Sequence, residues 1–182
     1  MEKFTLYRED LVLLIIDIQE KLVPVIKYRS QVIRNATVLI TAAQEMGFPV
    51  MVTEQYPQGL GRTVPELLGL IEEGNIFSKN SFTAYTDQVK SALHGLGRKT
   101  ILLCGMETHV CVFQTVRDLL QDGYQVHVAK DAVASRTKDN YTNGIDLMQS
   151  LGAVITNTET AVFDLLKVSG TPEFKLISKL IK

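Results

Sequence analysis

The 182-residue sequence predicts an α/β protein, a doubly wound, mostly parallel six-stranded sheet with helices on both faces. Three observations carry this. Strand-like and helix-like stretches alternate from end to end. The strand candidates are mostly continuous apolar runs rich in Val, Ile and Leu, as expected of strands covered on both faces. No repeat, linker or low-complexity segment interrupts the alternation, so residues 1–182 read as one domain.

The elements follow in order. The first strand is 11-LVLLIID-17, and helical periodicity then runs from about Ser30 to Met46 and stops at Gly47, the usual C-terminal glycine. The second strand is 49-PVMVTE-54 and the third 75-NIFSK-79. Between them, 57-PQGLGR-62 contains a Gly-x-Gly, but a dinucleotide fingerprint belongs after the first strand and opens a helix directly. Its glycines suit a tightly turning rim loop instead. A helix over about 86–96 leads to the fourth strand, 99-KTILLC-104, and a helix over about 109–122 to the fifth, 125-QVHVAK-130. A helix over 139–150 precedes the sixth strand, 153-AVITN-157. The next helix, 158–167, can be capped by Thr156 or Asn157, and Thr156-x-x-Glu159 has capping-box spacing. The last helix opens at 171-TPEF-174, with Thr171 as cap and Pro172 at the first helical position.

Composition bounds the function. Hydrophobic residues make up 46% and charged ones 21%, and the net charge is -1. That balance leaves no electrostatic footprint for nucleic acid or an anionic membrane. The N-terminus, MEKFTLYRED, is charged and lacks a signal-peptide core, and the run 11-LVLLII-16 is too short to span a bilayer. Two cysteines make neither a disulfide framework nor a zinc site, and a cytoplasmic location follows as the expectation.

In a parallel sheet, ligands bind beyond the carboxyl ends of the strands. Asp17 ends the first strand, Lys79 the third, and Cys111 follows the fourth within 105-GMETHVCVFQT-115. A thiol where a helix begins faces the positive end of the helix dipole, which favours thiolate. The same position also suits a small buried hydrophobe. Taken singly, Asp17 reads as a helix cap or loop anchor, and Lys79 as a solvated residue at a strand end. Together they supply a nucleophile, a base and a cation that keeps the base ionised.

These residues sit in motifs. Asp17-Ile18-Gln19, 79-KNSF-82, Gly105-x-x-Thr108-x-x-Cys111-Val112 and 131-DAVASR-136 occur in that order at strand ends. On them, nearly the whole chain resembles the isochorismatase-like cysteine hydrolases. The stretches 53-TEQYPQGLG-61, 63-TVPEL-67 and 174-FKLISKLIK-182 resemble the branch of isochorismatase domain-containing protein 2. The resemblance implies the strand order 3-2-1-4-5-6 and an Asp–Lys–Cys triad, with Cys111 as nucleophile, Asp17 as general base and Lys79 as cationic partner. It also implies a cis peptide between Met106 and Glu107, and an oxyanion hole made by the backbone N–H groups of Glu107 and Cys111.

The implied chemistry is cleavage of a C–N bond in a small amide through a Cys-linked thioester. Family members that cleave isochorismate do not need the cysteine, so Cys111 argues for amide-type hydrolysis. Two alternatives stand beside it: a non-catalytic scaffold or binding protein that retains the fold, and a nicotinamidase-type amidase. The last is disfavoured by 53-TEQYP-57, which lacks the ligand histidine of nicotinamidases. His94, His109 and His127 show no metal-ligand spacing, so neither metal nor other cofactor is expected. His127 reads as a core histidine, His94 as a surface one, and His109 as a candidate pocket residue. Gln19, Glu54, Tyr56, Phe82 and Tyr85 are further candidates for lining the pocket. Cys104 reads as an inert packed thiol and Cys111 as a low-pKa one, with Asp17 opposing the shift. The expected partner is a small-molecule substrate. The amphipathic tail after Thr171 predicts a homo-oligomer, dimer or higher.

Overall fold

The computed structural model describes residues 2–181. Six strands form one sheet: β1 Leu11–Ile16, β2 Val50–Gln55, β3 Ile76–Lys79, β4 Thr100–Met106, β5 Gln125–Ala134 and β6 Val154–Thr156. Their order is β3-β2-β1-β4-β5-β6 and every neighbouring pair is parallel. The longer helices are α1 Arg29–Met46, α4 Asp87–Leu96, α5 Phe113–Gln121, α6 Lys138–Ser150, α7 Thr158–Leu166 and α8 Pro172–Ile181. Between β2 and β3 stand two short helices, α2 Pro57–Leu60 and α3 Pro65–Leu68, so the expected rim loop begins as a helical turn.

β1 lies at the centre and is buried along its whole length, which explains its uninterrupted apolar sequence. Because strand side chains alternate between faces, Leu11, Leu13 and Ile15 pack beneath α1, α7 and α8. Val12, Leu14 and Ile16 pack beneath α4, α5 and α6. Each such side chain contributes about 1.5–3 kcal/mol of burial, so this strand anchors both layers.

The helices start and stop as their end residues dictate. α1 ends on Gly47 at φ 73, in the left-handed region. Thr86, Thr137 and Asn157 cap α4, α6 and α7 through their side chains, and the Thr171 hydroxyl accepts from the Phe174 N–H at the start of α8. α8 lays Ile177, fully buried, and Phe174 against its own domain, where Phe174 meets Phe163 of α7 edge-on at 6.0 Å. Leu176 and Leu180 of the same helix stay exposed. The tail therefore has one face in the core and one outside it.

Two irregularities shape the carboxyl end of the sheet. At Gly105 of β4, a Cβ would lie 2.1 Å from the Ile16 carbonyl oxygen of β1, so only glycine lets these backbones meet. In β5 the register against β4 jumps from Leu103–Val128 to Gly105–Val133. Residues 129–132 therefore stand opposite Cys104 alone, a bulge that lifts Lys130 and Asp131 out of the ladder.

Candidate active site

The sheet order reverses between β1 and β4, and the crevice above that point holds the three residues singled out from the sequence. Asp17 follows β1 in a left-handed conformation, φ 52, which Asp adopts more readily than most side chains. Its N–H donates to the Thr53 carbonyl at 3.1 Å. The Thr53 hydroxyl donates to its Oδ1 at 2.8 Å, and Lys79 Nζ donates to its Oδ2 at 2.7 Å. Lys79 also donates to Gln55 Oε1 at 2.7 Å and lies within 3.2 Å of the Ser81 and Phe82 carbonyls. Both charged side chains are buried, at 1% and 0% exposure, so each supplies the compensation the other needs away from water.

Cys111 reaches the same point from the other side of the switch. The expected helix after β4 begins as a π-helical turn, Thr108–Val112, before α5 takes over. From this turn the buried Cys111 thiol comes near enough to the Asp17 carboxylate for the two to act on each other's titration. The Met106–Glu107 peptide entering the turn is cis.

The electrostatics correct one expectation. Burial pushes the Cys111 thiol up to about 12, with the Asp17 charge adding to the rise, and Lys79 pulls it back only in part. The resting cysteine is thus a thiol. Burial also raises Asp17 above the usual carboxylate range, against the pull of Lys79. An acid held high in this way is a better proton acceptor than a solvated aspartate.

The turn is pinned on three sides. The Glu107 carboxylate accepts from the Arg136 backbone N–H at 2.9 Å and from its Nε at 3.2 Å. His109 Nδ1 and Ser135 Oγ lie 3.0 Å apart. α6 crosses so closely at Gly144 that a Cβ there would sit 2.9 Å from Thr108 backbone atoms. The Thr115 hydroxyl, one turn into α5, donates to the Cys111 carbonyl at 2.6 Å and accepts from the Ala84 N–H at 2.7 Å. It ties the loop after β3 to the cysteine turn. The Thr108 hydroxyl is buried without a partner among the described residues.

A model of the isochorismatase domain matches residues 12–160. The chain belongs to the isochorismatase family. It is 42% identical over 176 residues to the secreted isochorismatase effector Isc1 of Phytophthora sojae, covering 94% of this chain and 84% of that one. It is 38% identical over 178 residues to isochorismatase domain-containing protein 2 of Rattus norvegicus, covering 97% and 83%. The solved structure of MAR1 ribonuclease from Caenorhabditis elegans superposes with a TM-score of 0.91 at 38% identity, covering 97% and 92%.

Within this isochorismatase-family site, the other candidate residues divide. Gln19, fully buried, donates to the Gln55 and Gly61 carbonyls and accepts from the Gln55 N–H, so it clamps β2 to the following turn. Glu54 accepts from the Thr63 N–H and hydroxyl at 2.7 and 2.9 Å and does similar work. Both are buried. Tyr56 sits at φ 38 with its ring over Gly59, and Phe82 holds Lys79 through its carbonyl; both rings are exposed beside the site. Tyr85 turns away. Its hydroxyl donates to Asp122 and its ring meets Tyr124 edge-on, at the far end of α5, roughly 15 Å of helix from Cys111. His109 lies within the turn, His127 is buried, and His94 is exposed near Asp122. Among the described residues, no three His, Cys, Asp or Glu side chains converge as a metal site.

The reading of the sequence missed Thr53, Gln55 and Thr115. Thr53 and Gln55 stand two apart at the end of β2, which puts both on one face, toward the Asp17–Lys79 pair. That spacing was the available signal. Thr115 carries none, since a threonine inside a helix is ordinary.

Proposed function

We propose that this isochorismatase-family chain hydrolyses a C–N bond of a small amide through a thioester on Cys111. The observation that carries the reading is the burial of three groups at one strand-end rim, with Lys79 Nζ at 2.7 Å from Asp17 and the Cys111 thiol near enough for the Asp17 charge to raise it. Asp17 takes the thiol proton as sulfur attacks the amide carbonyl. Because the free thiol lies so high, proton removal accompanies attack rather than preceding it. The carbonyl electron pair moves to oxygen, where the backbone N–H groups of Glu107 and Cys111 are the donors. Asp17 then gives its proton to the leaving nitrogen, the C–N bond breaks, and a thioester remains. Water, deprotonated by Asp17, releases the acid and restores the thiol. Lys79 stays charged throughout and holds Asp17 in place.

A ribonuclease reading rests on the names of similar solved structures, the nematode one and two from Leishmania species, and a buried thiol and aspartate give it no support. The test is release of ammonia from a panel of small primary amides, with intact-mass detection of an acyl adduct. Turnover and the adduct should both vanish in Cys111→Ala. An amide cleaved equally well by Cys111→Ala would refute the thioester route. A panel without turnover or adduct would favour a non-catalytic role.

A further inference from the structure

Away from the thiol, a cavity of about 480 Å³ opens over the carboxyl end of β5. Its lining includes Lys27, Lys130, Arg136 and Lys138, with Asp131 as its one carboxylate. That concentration is local, because the whole chain carries a net charge of -1. The β5 bulge contributes Lys130, since residues 129–132 lose their pairing with β4 and this side chain is left exposed.

The single carboxylate is already committed. Asp131 Oδ1 accepts from the Thr158 N–H at 2.7 Å and its hydroxyl at 2.9 Å. Gln31 and Asn35 of α1 donate to the Asp131 carbonyl at 3.1 and 2.8 Å, so the floor between α1 and β5 is fixed. Arg136 is ion-paired with Glu107, whereas Lys27, Lys130 and Lys138 form no ion pair among the described residues. The Tyr141 hydroxyl, donating to the Lys130 carbonyl at 2.8 Å, holds the rim on the α6 side. Tyr28, also in the lining, is exposed.

We propose that this groove binds a small phosphorylated ligand of nucleotide size, on the Arg136 side of the cysteine turn rather than at the thiol. The unpaired lysines suit a phosphate dianion, which exchanges its counterions for them. Lys27 Nζ stands over one face of the Tyr28 ring at 5.5 Å from its centroid, and the other face suits a flat ring, which stacks on tyrosine without needing a specific hydrogen bond. The volume falls within the range of small-ligand sites and would leave a lone phosphate mostly unsupported.

Isothermal calorimetry of the full chain with adenosine monophosphate, adenosine and a short single-stranded oligoribonucleotide tests this. Saturable binding of the monophosphate and none of adenosine is the expected result. Lys130→Glu and Lys138→Glu, both at exposed positions, should each weaken it by about tenfold with the thermal midpoint unchanged. Cys111→Ala should bind as the unaltered chain does, which keeps this test independent of the amide chemistry. Equal binding of adenosine, indifference to both charge reversals, or no binding of the monophosphate would overturn the proposal. So would an oligoribonucleotide that binds far more tightly than the monophosphate and depends on the same lysines, because the groove would then belong to RNA.

Discussion

Replacing Gly144 by Ala sets two effects of known sign against each other. In an exposed helix interior the substitution stabilises by about 1 kcal/mol, because glycine pays the larger conformational entropy on folding. At Gly144, however, the new methyl would sit 2.9 Å from the Thr108 carbonyl carbon and oxygen and 3.0 Å from His109 Cα. All three are backbone atoms, so nothing can rotate away, and α6 or the turn must retreat by about 0.5–1 Å to restore ordinary contact. Overpacking of that kind costs about 1–3 kcal/mol. The net expectation is a protein no more stable than the parent and up to about 2 kcal/mol less so. Gly95→Ala is the control, since that helical glycine has nothing within 4 Å of its Cβ position and should show the gain alone. Urea unfolding of the three proteins measures both. The retreat also displaces Cys111 from Asp17, so the pH profile of Cys111 alkylation should move in Gly144→Ala and stay put in Gly95→Ala. If Gly144→Ala matched the control in stability and kept the parental profile, the close crossing of α6 over the turn would be wrong.

Four further outcomes are expected. Alkylation of Cys111 by iodoacetamide should be slow at neutral pH and still climbing at pH 10, and Asp17→Asn should shift the profile to lower pH; a parental plateau below pH 8 would contradict the high thiol. His127 is held down at about 4 by burial, against an ordinary 6.5, and so is neutral in the fold. Its depressed value contributes stability above about pH 6.5 that is lost as pH falls toward 4, about 3 kcal/mol in all, and His127→Gln should flatten that part of the stability curve measured in urea. Ending the chain at Ser169 removes the fully buried Ile177 and should cost at least about 2 kcal/mol, and sedimentation should show the expected homo-oligomer dissociating as Leu176 and Leu180 leave; an unchanged assembly would place its interface elsewhere. Dialysis against a strong chelator should leave the thermal midpoint and any amide turnover unchanged, and a loss restored by zinc would contradict the reading of 53-TEQYP-57.

The sheet was legible because strands buried on both faces must be apolar throughout, and 11-LVLLII-16 has no other use for such a run. Strand order was not legible from alternation, which says only that crossovers occur; it came with the motif resemblance. Asp17, Lys79 and Cys111 could be found because topology sends every strand end to one rim. The sign of the Cys111 shift could not, because it depends on how deeply the thiol is buried and how close Asp17 lies. Tyr85 was misplaced for a related reason. Closeness in sequence to 79-KNSF-82 does not say which way a ring turns, and Asp122 and Tyr124 decide that from 37 and 39 positions further along the chain. The β5 bulge left no mark, since 129–132 continues as an ordinary mixed run.

The oxygen of Thr115 has a consequence for how such a protein can change. One atom receives the Ala84 amide and restrains the Cys111 carbonyl, so the segment over 80–85 and the nucleophile share a fastening. That segment carries the exposed Phe82 at the mouth and would be the natural place to alter selectivity by exchanging one stretch for another. It is not an interchangeable part. A transplanted segment that lacked an amide at the height of Ala84, or that arrived with position 115 occupied by valine, would orphan a buried N–H at about 1–3 kcal/mol and release the cysteine's own helix turn. Diversification here has to proceed by exchanging side chains on a conserved backbone path, or by changing 84 and 115 together.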